Sequence, residues 1–321
     1  MIVSPHPRKQ NKYMENGQSI VAKAPLVPGD YLVERINTVL DLLGGLEKVF
    51  KTGDKVMLKP NFNCSFPTPL STDPGVLAAV LEILLDYGVK VEIGEMSGRA
   101  DGPTAKVVKN LGLLPLFKRY GVPLIMFEED EWLELKVEGK YWQSYHIPRS
   151  IYEADKRIYL SNMRCHSSAR FSASLKLGVG WLSADDREIM HSDRTTTEAM
   201  VAELHLGWQP DLVIIDGRRC TVNWHGRGPY VFPNVIMASG DMVSIDSEAV
   251  KILKQYPAEN RIGVPLTELD QLRVAREHGI GSMDYVLREA QPHLETEQKN
   301  NLDPAAIPMS DDEKRQNQSK G

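Results

Sequence analysis

The chain is 321 residues long, with 42% hydrophobic and 25% charged residues, which is enough for one large or two modest domains with a full hydrophobic core. Its net charge of -5 leaves no surplus of cations to hold phosphate backbones, and this excludes nucleic acid as the main partner. No apolar stretch approaches the roughly 18 residues that a membrane-spanning helix needs, so we expect no membrane partner.

The first half of the sequence alternates between predicted strands and helices. Asp30 is a candidate cap for a helix that stops at Gly44 and Gly45, and Asp73 precedes an apolar helix that ends at Gly88. The strands are predicted at 19–25, 54–61, 89–95 and 122–128, with a further helix at 103–121. Because strands alternate with helices of this length, the pattern predicts parallel βαβ units.

The second half begins with a hairpin and then returns to the same alternation. Residues 131–148 alternate apolar and polar side chains around Glu138 and Gly139, which is typical of an antiparallel hairpin, and we expect it at the sheet edge. Further strands are predicted at 155–162, 211–217 and 234–240, and helices at 195–207, 244–256 and 266–281. The predicted fold class is therefore α/β, with mostly parallel sheets flanked by helices and an antiparallel hairpin insertion.

Three regions follow from this pattern: an N-terminal extension at 1–18, an α/β domain at 19–294 and a disordered tail at 295–321. The tail is charged and polar, with almost no aromatic or branched residues to build a core. The α/β domain can form two lobes, 19–150 and 151–294, with the site between them.

Polar or ionisable residues follow nearly every predicted strand, which is where ligands bind in open parallel sheets. The candidate substrate-binding residues at these positions are Lys59, Asn61, Thr72, Ser97, Arg164 and Asp241. The candidate catalytic residues are His166, Lys176 and Asp216. A lysine or arginine can hold a carboxylate or phosphate there, and an imidazole can take up and return a proton near neutral pH.

Several of these positions also have a purely structural interpretation. Lys59 can simply close a strand, Asp216 can accept backbone hydrogen bonds in an Asp-Gly turn, and Asp241 can cap a helix. Asp246, on the other side of the same helix start, stays open between the two interpretations. The clustering of such residues after successive strands is what favours a site.

Two loops carry glycine beside ionisable side chains. Gly178 and Gly180 follow Lys176 at places where the backbone turns tightly or approaches a ligand closely. His225 and Arg227 lie in the sequence WHGRGP, a candidate lid or phosphate contact that lacks the spacing of a phosphate-binding loop. No GxGxxG follows the first strand, which disfavours an adenine dinucleotide cofactor.

The three cysteines, Cys64, Cys165 and Cys220, follow predicted strands and have no CxxC spacing. An odd and scattered set fits a reducing compartment, so we predict a cytoplasmic protein. The fold could bring the three thiolates together, with His191 as a further ligand, around a metal ion or an iron-sulfur cluster. That arrangement defines the alternative function, an accessory protein that holds a metal without turnover of its own.

Six sequence blocks resemble, in order, those of the domain of unknown function family number 362. They are LLGGLEKVFKTGDKVMLKPN, STDPGVLAAVLEILLDYG, EIGE, RIYLSNMRCH with the later LKLGVG, PDLVIIDG and IMASGDMVSIDSEA, within residues 19 to about 283. The family usually has Lys-Thr-His where this chain has Arg164, Cys165 and His166, so only the histidine matches. Lys176 matches the family's Lys-Asn-Leu-Val-Gly, with Leu177 in place of the asparagine. Some relatives carry an appended ferredoxin-like segment with clustered cysteines, which this sequence lacks.

The spacing of His166 and Lys176, with nine residues between them, is also similar to that in the nickel-dependent lactate racemase family. In that family the lysine carries a pincer cofactor and histidines move protons and bind nickel. His191 would stand here in the place of a further histidine. These resemblances imply a fold and a site rather than a reaction.

Together the patterns predict an enzyme of isomerase, lyase or oxidoreductase type that acts on a small anionic metabolite by proton transfer at His166 and Lys176. Lys59 and Arg164 would hold its carboxylate or phosphate. The metal or iron-sulfur accessory protein is the alternative, and a homo-oligomer or an electron-transfer partner is compatible with either.

Overall fold

The computed structural model describes residues 1–7, 10–98, 100–224 and 228–291. His225, Arg227 and the predicted disordered tail lie outside the described residues. Within them, the strands of one large sheet alternate with helices, which confirms the predicted α/β class.

The described strands and helices are numbered here in chain order. The strands are β1 (Ile2–Val3), β2 (Met14–Glu15), β3 (Gln18–Pro25), β4 (Lys55–Lys59), β5 (Lys90–Glu95), β6 (Leu124–Met126), β7 (Trp132–Lys136), β8 (Ser144–Pro148), β9 (Lys156–Asn162), β10 (Arg164–His166), β11 (Arg170–Ser172), β12 (Leu212–Gly217), β13 (Cys220–Thr221), β14 (Tyr230–Val231), β15 (Val235–Ser239) and β16 (Tyr285–Glu289). The helices are α1 (Leu32–Leu43), α2 (Pro74–Tyr87), α3 (Thr104–Asn110), α4 (Leu114–Tyr120), α5 (Arg149–Glu153), α6 (Ser174–Leu177), α7 (Ala184–Ser192), α8 (Thr197–Glu203), α9 (Met242–Leu253) and α10 (Asp270–Glu277).

A nine-stranded sheet organises the fold, in the order β16-β3-β15-β12-β9-β4-β5-β6, with β2 paired to β3. Parallel pairing joins β12, β9, β4, β5 and β6, and it also joins β16 to β3. β15 runs antiparallel to both of its neighbours, β12 and β3. The sheet is therefore mostly parallel, as predicted. Strands from both predicted lobes pair within it, and the lobe boundary at residue 150 stays a prediction.

Helices cover both faces of this sheet. On one face, Ile36 of α1 and Leu77 of α2 belong to a core cluster that includes Ile158 of β9. On the other face, Val243 of α9 belongs to a second cluster that includes Tyr159. The adjacent residues Ile158 and Tyr159 thus face opposite clusters, as successive residues of a strand do. Burial on both faces explains why the central strands are almost continuously apolar.

The helix ends follow local sequence signals, with one exception. Asp73 caps α2 by accepting hydrogen bonds from two amides of its first turn, and Gly88 ends the helix with a φ of 91°. The start of α1 differs from the prediction, because Tyr31 occupies the cap position there. Asp30 instead forms an ion pair of 2.7 Å with the buried guanidinium of Arg35.

Four other regions differ from the sequence predictions. The helix predicted over 103–121 is divided into α3 and α4, because Gly112 has a φ of 70° and Pro115 lies in the first turn of α4. The predicted hairpin, β7 and β8, forms a separate three-stranded sheet with β1 instead of extending the edge of the large sheet. Helix α7 and strand β16 lie in segments for which no element was predicted.

Candidate functional site

The carboxyl ends of the parallel strands meet at one edge of the large sheet. β4 ends at Lys59, β5 ends at Glu95 and β9 ends at Asn162. In the neighbouring strand β12, Asp216 pairs directly with Asn162. Side chains from four strands are therefore delivered to this edge, as expected for the ligand-binding end of a parallel sheet.

The hairpin of β10 and β11 follows β9 directly and presents two basic side chains. Because alternate residues of a strand point to opposite faces, Arg164 and His166 share a face that Cys165 does not. Cys165 is completely buried, whereas its two neighbours are only half-buried. The side-chain amide of Gln271, on α10, holds the hairpin in place. It donates to the carbonyl oxygens of Ala169 and Phe171, at 2.6 and 3.0 Å.

Hydrogen bonds hold the ring of His166 in one tautomer. Its Nδ1 accepts from the backbone amides of Ser168 and Ala169, at 3.2 and 3.3 Å. In the neutral ring the proton therefore lies on Nε2, which makes that atom a donor. Burial, followed by the charges of Lys176 and Arg164, lowers the pKa of His166 well below its ordinary value. The imidazole is thus neutral at pH 7.

Helix α6 carries Lys176 between two buried neighbours, Leu175 and Leu177. The lysine itself is half-buried, and its ammonium forms no hydrogen bond or ion pair with any residue in the described ranges. Burial, followed by the charges of Arg164 and Arg187, lowers the pKa of Lys176 to about 7. A large share of the amine is therefore neutral at pH 7 and able to accept a proton.

Arg164, His166, Lys176 and His191 form a group that we call the cationic cluster. The Arg164 guanidinium donates to the carbonyl of Cys165 at 3.3 Å and pairs with no carboxylate in the part of the chain that the structure describes. Burial, followed by the charge of Lys176, lowers the pKa of His191. The charges of Lys176, Arg164 and His191 all lower the pKa of His166, and charges act in this way at short range, so the cluster surrounds His166. Three of these four basic side chains, Arg164, His166 and Lys176, are half-buried, and a bound anion would offset the cost of placing like charges together there.

A buried ion pair supports the loop that follows Lys176. The ammonium of Lys59 lies 2.7 Å from Oε1 of Glu95 and also donates to the carbonyl of Pro60. Gly180 packs directly against this pair, because a Cβ at that position would collide with both charged groups. Lys59 is only 1% exposed, so this arrangement favours the structural interpretation of its charge over ligand binding.

Four other predicted residues brace the loops at the same edge. The side-chain amide of Asn61 donates to the carbonyl of Leu70 at 3.1 Å. The backbone amide of Asn61 donates to the hydroxyl of Thr72 at 2.8 Å. The hydroxyl of Ser97 donates to another loop carbonyl at 2.6 Å. Asp216 accepts two hydrogen bonds of 2.9 Å from the guanidinium of Arg218. These contacts place all four at the predicted edge but favour a bracing role for each.

Asp241 lies at the opposite edge of the sheet. It follows β15, whose last residue, Ser239, pairs with Val213 near the start of β12 because the two strands are antiparallel. The Asp241 carboxylate caps α9 and accepts a further hydrogen bond of 2.8 Å from the hydroxyl of Ser19. The prediction that places Asp241 in one substrate site with the other candidates is therefore corrected, and the helix-cap interpretation holds.

The sequence profile of the family described as Domain of unknown function (DUF362) matches residues 56–251, which is more than half of the chain. The chain belongs to the DUF362 family. A thylakoid-associated protein of Synechocystis sp. (strain ATCC 27184 / PCC 6803 / Kazusa) is 26% identical over 237 residues, which are 71% of each chain. In this DUF362 protein, no helix among the described residues is long and apolar enough to cross a membrane.

A solved structure of lactate racemase apoprotein from Thermoanaerobacterium thermosaccharolyticum overlaps with 74% of the DUF362 chain at 14% identity and a TM-score of 0.38. The match covers 58% of the racemase, so the DUF362 chain spans less than two thirds of that protein's length. An overlap of this size says nothing about a shared reaction. The chemistry follows from the side chains of the DUF362 protein itself.

The predicted metal ligands do not form a group in the DUF362 protein. Across the ranges that the structure describes, no three His, Cys, Asp or Glu side chains are placed to hold a metal ion together. The three cysteines are buried and unpaired, and burial raises the pKa of Cys165 to about 12, so that it is a thiol rather than a thiolate. The donor set does not fit a nickel or iron-sulfur centre held by Cys64, Cys165, Cys220 and His191.

A cavity of about 800 Å³ in the DUF362 protein lies away from the cationic cluster. Asp241, Arg157 and Trp208 are among its lining residues, which places it at the opposite edge of the sheet. The Arg157 guanidinium lies 4.6 Å from the Trp208 ring centre and donates to two backbone carbonyls, at 3.0 and 2.9 Å. The charge of Arg157 is thus used to hold local structure.

Arg187 is a residue at the site that sequence reasoning missed, and Asn162 is a second polar residue there. Arg187 of α7 donates to the carbonyls of Met96 and Gly180, at 2.8 and 2.6 Å, and so ties the loop after β5 to the loop after α6. Asn162 is 4% exposed, and its Oδ1 has no hydrogen-bond partner in the described structure. For Arg187 a signal was present in the sequence, because Ser183 with Asp185 and Asp186 in the following turn is a typical helix start.

Proposed function

We propose that this protein is an enzyme that binds a small carboxylate- or phosphate-bearing metabolite at the cationic cluster and transfers a proton through Lys176. The state of Lys176 carries the proposal. Its ammonium has no partner among the described residues, and its pKa is lowered to about 7 by burial and by the two arginines beside it. Strongly shifted groups of this kind concentrate at functional sites.

The charges around the lysine support an anionic ligand. Arg164 pairs with no carboxylate within the described ranges, and a planar guanidinium matches two oxygens of a carboxylate or phosphate. His166 adds a donor, because its neutral ring carries the proton on Nε2. The charges that shift the pKa values of Lys176 and His166 are all basic, which favours an anionic ligand beside them.

Lys176 supplies the acid-base group for the reaction. Near pH 7 both forms of the amine are present, so it can remove a proton from an atom beside the bound anion and return it later. Arg164, paired with the anion, stabilises the negative charge that develops on the substrate as the proton leaves. Isomerases and lyases both use such a step.

Deuterium exchange tests this proposal. The protein is incubated in D2O with a panel of small hydroxy, keto, amino and phosphorylated acids, and incorporation of deuterium is followed by NMR. We expect exchange at a carbon beside the anionic group of at least one panel member. Lys176→Met should slow that exchange by about 100-fold or more, since the variant keeps the shape of the side chain and loses the base.

Lys136→Met is the matched control, because Lys136 is exposed on β7 in the separate small sheet. The Lys136→Met variant should catalyse deuterium exchange at the wild-type rate. Calorimetric titration with acetate and with inorganic phosphate measures binding independently of turnover. Exchange that persists in Lys176→Met, or a wild type that binds neither anion, contradicts the proposal. Binding without exchange anywhere in the panel would make the protein a binding module instead.

A further inference from the structure

Asp246 is completely buried on α9 and directs its carboxylate at the segment that carries Lys176. Its Oδ1 accepts from the backbone amide of Ser174 at 2.8 Å and from the Ser174 hydroxyl at 2.6 Å. Its Oδ2 accepts from the amide of Leu175 at 2.9 Å. Since these two residues immediately precede Lys176, one carboxylate binds the whole start of α6.

A helix as short as α6 depends on such contacts. It consists of Ser174–Leu177, and a single turn is unfavourable by itself because many torsions are fixed for very few hydrogen bonds. His205 holds the same turn from another element, donating from Nε2 to the carbonyl of Leu175 at 2.8 Å. Burial lowers the pKa of His205 to about 4, so its ring is neutral and this hydrogen bond is kept at physiological pH.

We propose that Asp246 is a positioning residue for Lys176: its three hydrogen bonds fix α6 so that the lysine stays beside Arg164 and Arg187 and largely away from water. The inference rests on the proposed function, because it explains how the chain holds the reactive amine. Within the described residues, the hydrogen bonds of Asp246 end on Ser174 and on the amide of Leu175, and none of them reaches the ammonium of Lys176. Asp246 therefore acts through the position of the backbone.

The energetics of Asp246 favour a dedicated role. Burial raises its pKa to about 7, although its hydrogen bonds to Ser174 and Leu175 favour the charged form. A buried carboxylate carries a desolvation cost that an apolar side chain in the same core would avoid. That cost is offset where the carboxylate satisfies donors that the fold otherwise leaves unpaired, here at the start of α6.

Competitive acetylation measures the position of Lys176 directly. Wild type, Asp246→Asn and Ser174→Ala are treated with trace acetic anhydride from pH 6 to 10, and acetylation of Lys176 is quantified by mass spectrometry. We expect a wild-type midpoint near pH 7. Asp246→Asn places donor hydrogens against the amides, which loosens α6, so the rate at pH 7 should fall at least tenfold as the lysine regains water. Ser174→Ala removes only one hydrogen bond and should shift the midpoint upward by less.

Glu203→Gln is the matched control, since Glu203 is equally buried and its carboxylate accepts from three backbone amides of the turn between β7 and β8. It should lose stability without changing the profile of Lys176. An unchanged profile in Asp246→Asn, or in Ser174→Ala if the first variant does not fold, overturns the positioning role and leaves the proposed function intact. An equal shift in Glu203→Gln also overturns it. If the acetylation midpoint of Lys176 in the wild type lies near the ordinary pKa of lysine, the proposed function itself is overturned. The wild-type measurement alone decides this point.

Discussion

Lys176 makes the stability of the fold depend on pH. Its pKa is about 7 in the folded protein against an ordinary value of 10.5, so between these values the unfolded chain binds more protons at this residue. The free energy of unfolding therefore rises with pH in this interval, by up to about 1.4 kcal/mol per pH unit. We expect Lys176→Met to remove this contribution between pH 7 and 8.5, as measured by urea unfolding at a series of pH values.

The exposed Lys136→Met variant should keep the wild-type slope in the same experiment. Below pH 7 Lys176 is protonated in both states, so the curves of wild type and Lys176→Met should run parallel there. Equal slopes from pH 7 to 8.5 would show that the folded protein leaves the lysine with its ordinary affinity for protons.

The sequence made some of these residues visible and hid others. Arg164, His166 and Lys176 stand out because they lie in a polar segment directly after a buried strand. Asp246 does not, because its hydrogen-bond partners Ser174 and Leu175 lie 72 and 71 positions away along the chain. No local pattern records a contact of that range.

At the scale of one element, the loop after α6 leaves no room for a side chain at Gly180. A Cβ there would collide with the buried ion pair of Lys59 and Glu95, and neither partner can swing into water. We expect Gly180→Ala to lower the free energy of unfolding by about 1–3 kcal/mol, as overpacked positions do. Urea denaturation measures this change, and a titration with acetate should show weaker binding because the same loop leads to Lys176.

Gly263→Ala is the control for this substitution, since Gly263 is exposed and has no atom within 4 Å of its Cβ position. It should change the free energy of unfolding by no more than about 0.5 kcal/mol. If Gly180→Ala were as stable as the control, the prediction would be wrong, because the ion pair of Lys59 and Glu95 would then move aside without a measurable loss of stability.

Elements were predictable where a local signal starts or stops them. Asp73 and Gly88 delimit α2 by side-chain capping and a left-handed residue, and both effects act within one turn. The partner of a strand is different, because it is chosen by the rest of the molecule. The hairpin of β7 and β8 was visible in its own alternation, yet its pairing with β1 was not.

At the scale of the whole molecule, the direction of β15 decides which charges share the site. A strand's residues indicate burial, but the same apolar pattern fits a parallel or an antiparallel neighbour. The prediction that Asp241 lies at the site edge requires β15 to run parallel to its neighbours, and it runs antiparallel to both. In the fold it lies beyond the other end of a five-residue strand, Val235–Ser239, which spans roughly 16 Å at 3.3 Å per residue.

That separation predicts different outcomes for two charge-removing substitutions. Asp241→Asn keeps a good helix cap and removes a charge at the opposite edge of the sheet from the carboxyl ends of β9 and β12. Calorimetric titration with acetate should therefore give a dissociation constant within about twofold of the wild type. Arg164→Gln removes a cation that no described carboxylate neutralises, and it should weaken acetate binding about tenfold or more. Equal weakening by both variants would mean that the anion binds at the Asp241 edge and not at the cationic cluster.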